Sequence, residues 1–173
     1  MDISQKIRTI PHWPAPGVMF RDITTLLQDP AGFRYVNDAF YERYHAAAID
    51  IIVSIDARGF IFGAVLAYRL GIGFVPVRKQ GKLPGRTISQ NYALEYGENI
   101  LEIHDDAITA DANVLIVDDL LATGGTAAAA IGLVERLGGR IHACAFVVEL
   151  PDLQGRKTLS GYEVYSMVQF AGD

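Results

Sequence analysis

Cysteine is almost absent from this sequence of 173 residues, which contains only Cys144. A single cysteine excludes an internal disulfide and a cysteine-rich zinc site. Cys144 stands in the apolar run Ile141–Val148, which favours an inert buried thiol over a nucleophile. The four histidines are scattered without metal-ligand spacing, at positions 12, 45, 104 and 142. The sequence therefore indicates no metal site built from cysteine or histidine and no cysteine–histidine or serine–histidine–aspartate catalytic set.

Long hydrophobic runs are also missing from the sequence. The longest helix-like run, Phe60–Leu70, is too short to cross a bilayer and contains Arg69. The N-terminal segment includes Asp2, Lys6 and Arg8 and has no unbroken apolar core, so it does not resemble a signal peptide. We therefore expect a soluble cytoplasmic protein with no membrane partner.

Positive charge is scarce overall but concentrated in one segment. The chain has 15 basic and 20 acidic residues and a net charge of −5, which argues against a general nucleic-acid-binding surface. Residues 57–94, however, contain no Asp or Glu, while their basic side chains are Arg58, Arg69, Arg78, Lys79, Lys82 and Arg86. This segregation indicates a local anion site, with a chance cluster on a solvated face as the alternative.

Apolar residues make up 50% of the chain, enough for a sizeable core, and we expect a single domain over residues 1–173. Short runs rich in branched residues predict strands at Ile51–Ile55, Gly73–Val77, Val114–Val117 and Ala143–Leu150. Helical stretches are predicted at Ala31–Ala47, Phe60–Leu70 and Thr126–Leu137, the last two ending at Gly71 and at Gly138–Gly139. Continuous apolar strands that alternate with helices predict an α/β fold, a parallel twisted sheet with helices on both faces.

Two segments depart from that alternation. Residues 79–104 hold two moderately alternating runs, Ile88–Leu94 and Asn99–His104, and predict a long antiparallel hairpin that projects from the sheet. Residues 10–17 contain several prolines and a glycine, which exclude a helix and predict a fixed, extended cover.

The segment Val114–Thr126 is the most informative, because a hydrophobic strand ends in two acids and passes through a small-residue loop into a helix. Gly124 and Gly125 allow the backbone to approach an anion closely, and the N–H groups at a helix start favour phosphate. Thr123 and Thr126 can add hydroxyl donors to the same oxygens. The loop therefore predicts a phosphate site, with an ordinary turn capped by Thr126 as the alternative.

Asp118 and Asp119 precede this loop at the carboxyl end of the predicted strand, where ligands bind in open sheets. Like charges repel, so adjacent carboxylates cannot recognise the phosphate itself. They suit vicinal sugar hydroxyls, a developing cation or a metal. A Walker loop is excluded, because Gly125 occupies the position where that motif needs lysine.

Val114–Thr126 resembles the phosphoribosyl pyrophosphate (PRPP) signature of the type I phosphoribosyltransferases. Further segments resemble the adenine phosphoribosyltransferases in particular, in order along nearly the whole chain: Pro16–Thr24, Asp56–Phe60, Val77–Gly85 and Tyr92–Gly97. The pair His12–Trp13 departs from that family, which has an acidic residue and Phe there. The resemblance implies a small N-terminal hood over residues 1–30 and a flexible catalytic hairpin over 79–104.

The resemblance also implies roles for individual residues around PRPP. The 5-phosphate would be held by Ala122, Thr123, Gly124, Gly125 and Thr126. Asp118 and Asp119 would hold the ribose hydroxyls and stabilise the positive charge that builds at the anomeric carbon. The leaving pyrophosphate would meet a cationic clamp formed by Arg58, Arg78, Lys79 and Lys82 and assisted by Mg²⁺, which would be held mainly through PRPP.

For the base, the resemblance implies that Phe20 stacks on adenine while backbone groups of Met19 and Arg21 contact its edge. Plain core packing is the alternative for Phe20. Glu95 would accept a purine proton or orient the base, unless it is only an exposed hairpin carboxylate, and Tyr96 would cover the site when the loop closes.

The implied activity converts adenine and PRPP to AMP and pyrophosphate in purine salvage, in a homodimer. Two alternatives remain at this stage, namely transfer to another purine base and a non-catalytic PRPP-sensing regulator. The acidic charge and the lack of a DNA-binding segment argue against the regulator.

Overall fold

A seven-stranded sheet forms the centre of the computed structural model, which describes residues 1–94 and 97–172. The strands are β1 (Arg8–Pro11), β2 (Met19–Asp22), β3 (Ile51–Ile55), β4 (Gly73–Lys79), β5 (Thr87–Leu94), β6 (Gly97–His104), β7 (Asn113–Leu121), β8 (Arg140–Glu149) and β9 (Val164–Gln169). The α-helices are α1 (Thr24–Gln28), α2 (Pro30–Tyr44), α3 (Gly59–Leu70), α4 (Gly125–Arg136) and α5 (Gly155–Thr158). Short 3₁₀ turns occupy Ile3–Lys6 and Pro151–Leu153.

The sheet has the order β5-β6-β4-β3-β7-β8-β9, and its last five strands are parallel. The hairpin β5–β6 joins this parallel part through an antiparallel pairing of Arg78 with Glu102 and Lys79 with Leu101. Strands β1 and β2 form a separate antiparallel pair near the N-terminus. The α/β fold with a parallel sheet and a long hairpin is therefore confirmed.

Strand β7 shows why the predicted strands were continuous apolar runs. Its residues Leu115 and Val117 pack into the core on one face of the sheet, with α2 and α3, whereas Val114 and Ile116 pack into the core on the other face, with α4. All four are fully buried. A strand covered on both faces needs an apolar side chain at every position, and this produces the unbroken pattern.

The helix ends follow the glycine signals in the sequence. Helix α3 ends at Gly71 with φ of 71°, and the turn after α4 contains Gly138 with φ of 88°. Both values lie in the left-handed region that glycine adopts without steric cost. Helix α2, in contrast, ends at Tyr44, three residues before the predicted Ala47.

Strands β4 and β7 extend beyond their predicted ends because a neighbouring strand continues beside each of them. Strand β4 runs on to Lys79 since β6 pairs with it, and β7 runs on to Leu121 since β8 extends to Glu149. Strand β9 was not predicted. Its residues are all partly exposed at the sheet edge, so they lack the buried apolar run of the central strands.

The remaining outcomes concern the N-terminus and the isolated thiol. Ile10 and Pro11 belong to β1, so the start of the predicted extended cover is one strand of the β1–β2 pair. Cys144 is fully buried, and burial raises the pKa of its thiol to about 12, as expected for an inert residue. No helix in the described part of the chain is long and apolar enough to cross a membrane.

Candidate active site

The candidate site lies where the order of connections in the sheet reverses. From β3 the chain passes through α3 to β4 on one side, while β7 pairs with the other side of β3. The loops that follow β3 and β7 therefore diverge and leave a crevice at the carboxyl ends of the strands. Gly59, the first residue of α3, packs closely against β7, because a Cβ there would lie only 2.7 Å from Oδ1 of Asp118.

The crevice contains a cavity of about 820 Å³, which is large enough for a nucleotide-sized ligand. It is lined by Trp13, Pro14, Phe20, Ile55, Asp56, Ala57, Arg58, Lys79, Tyr92, Asn99, Asp118, Asp119, Leu120, Leu121, Ala122, Thr123, Gly124, Thr126, Ala127 and Phe146. The structure thus brings together most of the residues proposed from sequence.

The predicted phosphate loop turns directly from β7 into α4. Gly124 has φ of 83° and precedes the first helical residue, Gly125. The N-cap residue Gly124 has no side chain to bond to this helix start, so within the part of the chain that the structure describes the first N–H groups of α4 suit an anion. Ala122, Thr123 and Thr126 also line the cavity, whereas Gly125 does not.

Asp118 and Asp119 lie within β7, shortly before its end at Leu121, rather than in the loop beyond it. Asp118 Oδ1 accepts a hydrogen bond of 2.8 Å from the backbone N–H of Asp119. Burial raises the pKa of the Asp118 carboxyl well above its ordinary value, and the charge of Asp119 raises it further. Burial also raises the pKa of Asp119, while the Arg58 guanidinium opposes that shift.

Arg58 connects the acidic and aromatic parts of the site. Its Nε lies 2.6 Å from Oδ2 of Asp119, a carboxylate that is only 4% exposed. Its guanidinium carbon also lies 5.6 Å from the centre of the Phe20 ring. Arg58 therefore stands between the predicted ribose-binding carboxylate and the predicted base-stacking ring.

The other predicted cations are arranged unequally around the cavity. Lys79 lines it, whereas Arg78 and Lys82 do not. Arg78 pairs through Nε with Asp56 at 2.9 Å and donates to the Lys82 carbonyl at 3.2 Å. Since Asp56 does line the cavity, Arg78 contacts the site through that carboxylate, and Lys82 is exposed.

Strand β2 carries the three predicted base-binding residues, of which Phe20 was expected to act through its side chain and Met19 and Arg21 through backbone groups. Phe20 lines the cavity and meets Trp13 edge to face, with ring centres 4.4 Å apart. The neighbouring Met19 and Arg21 side chains are not part of the lining. Arg21 is buried, donates to Thr9 Oγ1 at 2.8 Å and lies over the ring of Phe170.

Several residues that line the cavity received no individual role from the sequence, among them Asp56, Tyr92, Asn99 and Phe146. Register could have indicated Phe146, because it pairs with Asp118 across β7 and β8. Tyr92 is the first residue of Tyr92–Gly97, one of the segments that resemble the family, so this resemblance could have indicated it. Glu95 and Tyr96 lie outside the described residues, so their predicted roles stay predictions.

Among residues 1–94 and 97–172, no three His, Cys, Asp or Glu side chains come together as a metal-binding group. Mg²⁺ is commonly held by one or two carboxylates together with substrate phosphates. The adjacent carboxylates of Asp118 and Asp119 at the cavity wall fit a Mg²⁺ ion that is shared in this way with substrate phosphates.

Comparison with known proteins agrees with this geometry. Residues 22–170 match the family model of the phosphoribosyl transferase domain. The chain is 58% identical over 173 residues to the adenine phosphoribosyltransferase of Desulfosudis oleivorans, covering 100% of both sequences.

Solved structures give the same result. The chain is similar to the adenine phosphoribosyltransferase of Thermoanaerobacter pseudethanolicus, with a TM-score of 0.94 and 50% identity over 98% of each chain. It is also similar to the Saccharomyces cerevisiae enzyme in complex with an imino-altritol bisphosphate and adenine, with a TM-score of 0.91 and 42% identity over 96% of this chain and 97% of that one. The chain therefore belongs to the phosphoribosyltransferase family and, within it, to the adenine phosphoribosyltransferases.

Proposed function

We propose that this transferase moves the 5-phosphoribosyl group of PRPP to adenine and releases AMP and pyrophosphate, a purine salvage reaction. The bond between the anomeric carbon and the diphosphate oxygen breaks, a bond from that carbon to a ring nitrogen of adenine forms, and that nitrogen loses its proton. The observation that carries the proposal is the sequence of groups along one cavity wall: two carboxylates near the end of β7, followed by a phosphate loop.

The loop from Ala122 to Thr126 would hold the 5-phosphate. The uncapped N-terminus of α4 supplies N–H donors and a favourable helix dipole, and Thr123 and Thr126 supply hydroxyls. Gly124 supports this role, because its positive φ turns the chain sharply into the helix.

Asp118 and Asp119 would bind the ribose hydroxyls and face the anomeric carbon. As the diphosphate leaves, that carbon gains positive charge, and two fixed negative charges stabilise it more than they stabilise the neutral ground state. The burial of Asp119 and the partial burial of Asp118 support the proposal, since electrostatic interactions are stronger where water is excluded.

Arg58 and Lys79 would bind the leaving pyrophosphate directly, because both line the cavity. Arg78 would act indirectly, through its ion pair with Asp56, which lines the cavity. Lys82, which is exposed, would add positive charge at the surface near the site. When bound with the diphosphate, Mg²⁺ would neutralise part of the charge that builds on the leaving group and would be held mainly through PRPP, with the carboxylates of Asp118 and Asp119 available in the same cavity wall.

Adenine would stack on Phe20, whose ring is held edge to face by Trp13. Backbone groups of Met19 and Arg21, on the same strand, would contact the edge of the base that differs between adenine and 6-oxopurines. Glu95 would accept the purine proton or orient the base, and Tyr96 would cover the closed site. The S. cerevisiae relative was solved with adenine, which supports the choice of base.

We further propose a homodimer and a cytoplasmic location. PRPP is a highly charged phosphate ester that does not cross membranes, so its consumer is expected where it is made. A solution mass of twice 18.9 kDa would support the dimer.

The proposal is tested by incubating the protein with PRPP, Mg²⁺ and adenine while AMP and pyrophosphate are measured together. Equal amounts of both products at a steady rate would support the transfer. Binding of PRPP without turnover for any purine base would instead favour a regulator that senses PRPP.

A further inference from the structure

The phosphate loop rests on a segment that follows β8. This segment, called the support segment here, comprises the 3₁₀ turn Pro151–Leu153 and helix α5. Its Gly155 approaches the loop so closely that a Cβ there would lie 2.3 Å from the carbonyl oxygen of Ala122. A Cβ on Gly124 would likewise lie 2.8 Å from the Gly155 oxygen. Loop and support segment are therefore in backbone contact, and no residue of the support segment lines the cavity.

One side chain of the support segment bonds to the loop. The Thr158 hydroxyl donates a hydrogen bond of 2.6 Å to the backbone carbonyl of Thr123. In a trans peptide the carbonyl and the next N–H point in opposite directions. Holding the Thr123 oxygen towards Thr158 therefore turns the Gly124 N–H towards the other side, and it keeps a carbonyl oxygen from facing the phosphate.

The support segment is itself fixed to the sheet. Arg156 donates two hydrogen bonds, of 2.7 and 2.8 Å, to the carboxylate of Glu149 at the end of β8. Glu149 is only 3% exposed and also accepts from Ser166 and Gln169 on β9. Two-pronged arginine–carboxylate pairs restrict orientation strongly. The position of Thr158 relative to the sheet is consequently fixed by these bonds.

We propose that Thr158 is a positioning residue for phosphate recognition, which acts by orienting the Thr123–Gly124 peptide without touching the substrate. The inference rests on the proposed function, because it assumes that the loop binds the 5-phosphate. It predicts that the hydroxyl of Thr158 contributes to binding of phosphorylated ligands and not to binding of the base.

The test replaces Thr158 with valine, which keeps the shape of the side chain and removes the hydroxyl. Thr158 is exposed, so this change leaves thermal unfolding nearly unaltered. Loss of one hydrogen bond should weaken AMP binding and raise the KM for PRPP by about three- to tenfold, with the KM for adenine unchanged. AMP affinity is measured by titration calorimetry and both KM values by steady-state kinetics.

Two further variants serve as controls. Thr158→Ser keeps the hydroxyl and should restore AMP affinity. Thr109→Val makes the same chemical change at an exposed position before β7, at the opposite end of that strand from the loop, and should change neither constant.

The outcomes distinguish a failure of the positioning role from a failure of the proposed function. If the wild-type protein binds AMP and turns over, but Thr158→Val keeps its AMP affinity within about twofold, the positioning role is wrong. An equal rise in both KM values would also overturn it, since that indicates a general disturbance. If the wild-type protein neither binds AMP nor turns over, the proposed function fails first.

Discussion

Asp118 shows, at the scale of single residues, how function and stability oppose each other in this site. Its pKa is raised in the folded protein by burial and by Asp119, so the ionised form is penalised there. The free energy of unfolding should therefore fall as pH rises above the ordinary aspartate pKa of about 3.9. Relieving this penalty should stabilise the protein and remove a charge that the reaction uses.

Asp118→Asn is accordingly expected to lower kcat by about two orders of magnitude or more while raising the melting temperature at pH 8. Asparagine keeps the oxygen that accepts from the Asp119 N–H, so the local shape is preserved. At pH 4 the gain in melting temperature should shrink, because the wild-type carboxyl is then largely protonated. A variant less stable than wild type at pH 8, or one with normal kcat, would contradict this account.

Trp13 is a second such residue, an aromatic anchor in the sequence whose contact with Phe20 became apparent only in the structure. Its edge-to-face contact with Phe20 should fix the ring on which we propose that adenine stacks. We expect Trp13→Leu to raise the KM for adenine by about two- to tenfold, since such aromatic pairs contribute about 0.5–1.5 kcal/mol. Tyr68→Leu is the matched control, because Tyr68 is 86% exposed on α3 and does not line the cavity. Equal KM values for wild type and Trp13→Leu would remove Trp13 from base binding.

At the scale of elements, the central strands and helices could be predicted because their signals are local. Strand β3 agrees residue for residue with its apolar run. The extensions of β4 and β7 could not be predicted in the same way, since each depends on a partner strand distant in sequence. For this reason Asp118 and Asp119 were expected after the strand and lie on it instead.

The support segment was invisible to sequence reasoning for a related reason. Its link to β8 depends on Arg156 reaching Glu149, and neither residue belongs to a recognisable motif. The Arg156 guanidinium lowers the pKa of Glu149, with help from the Ser166 hydroxyl. A lowered pKa adds stability at neutral pH that is lost as pH falls below the ordinary value and through the folded one.

Glu149→Gln should therefore reduce the free energy of unfolding at pH 7 by about 1–2 kcal/mol, a range that allows for the half-exposed Arg156. The difference from wild type should disappear near pH 3, as followed by urea unfolding. Glu163→Gln breaks the exposed pair with Arg43 and should have little effect at either pH. A constant difference across pH would show that the charge of Glu149 is not what stabilises this link.

At the scale of the whole molecule, the segregation of charge in the sequence located the candidate anion site. It also indicated more basic residues around that site than the fold places there. Of the basic residues in the acid-free span, Arg58 and Lys79 line the cavity, whereas Arg69 pairs with Asp38 and Arg86 with Asp105. The span is free of acids only in sequence, because distant segments supply those partners in the fold. A charge pattern can therefore indicate that an anion site exists, while contacts decide which cations serve it.

The account's central claim is that this cavity selects adenine as the acceptor for the phosphoribosyl group. The most direct test measures kcat/KM for adenine, hypoxanthine and guanine in competition, with PRPP and Mg²⁺ present. We predict that AMP is the main product, with adenine preferred by about 10²-fold or more, because a buried polar edge left unpaired is costly. Comparable values for the three bases, or a preference for a 6-oxopurine, would contradict the account.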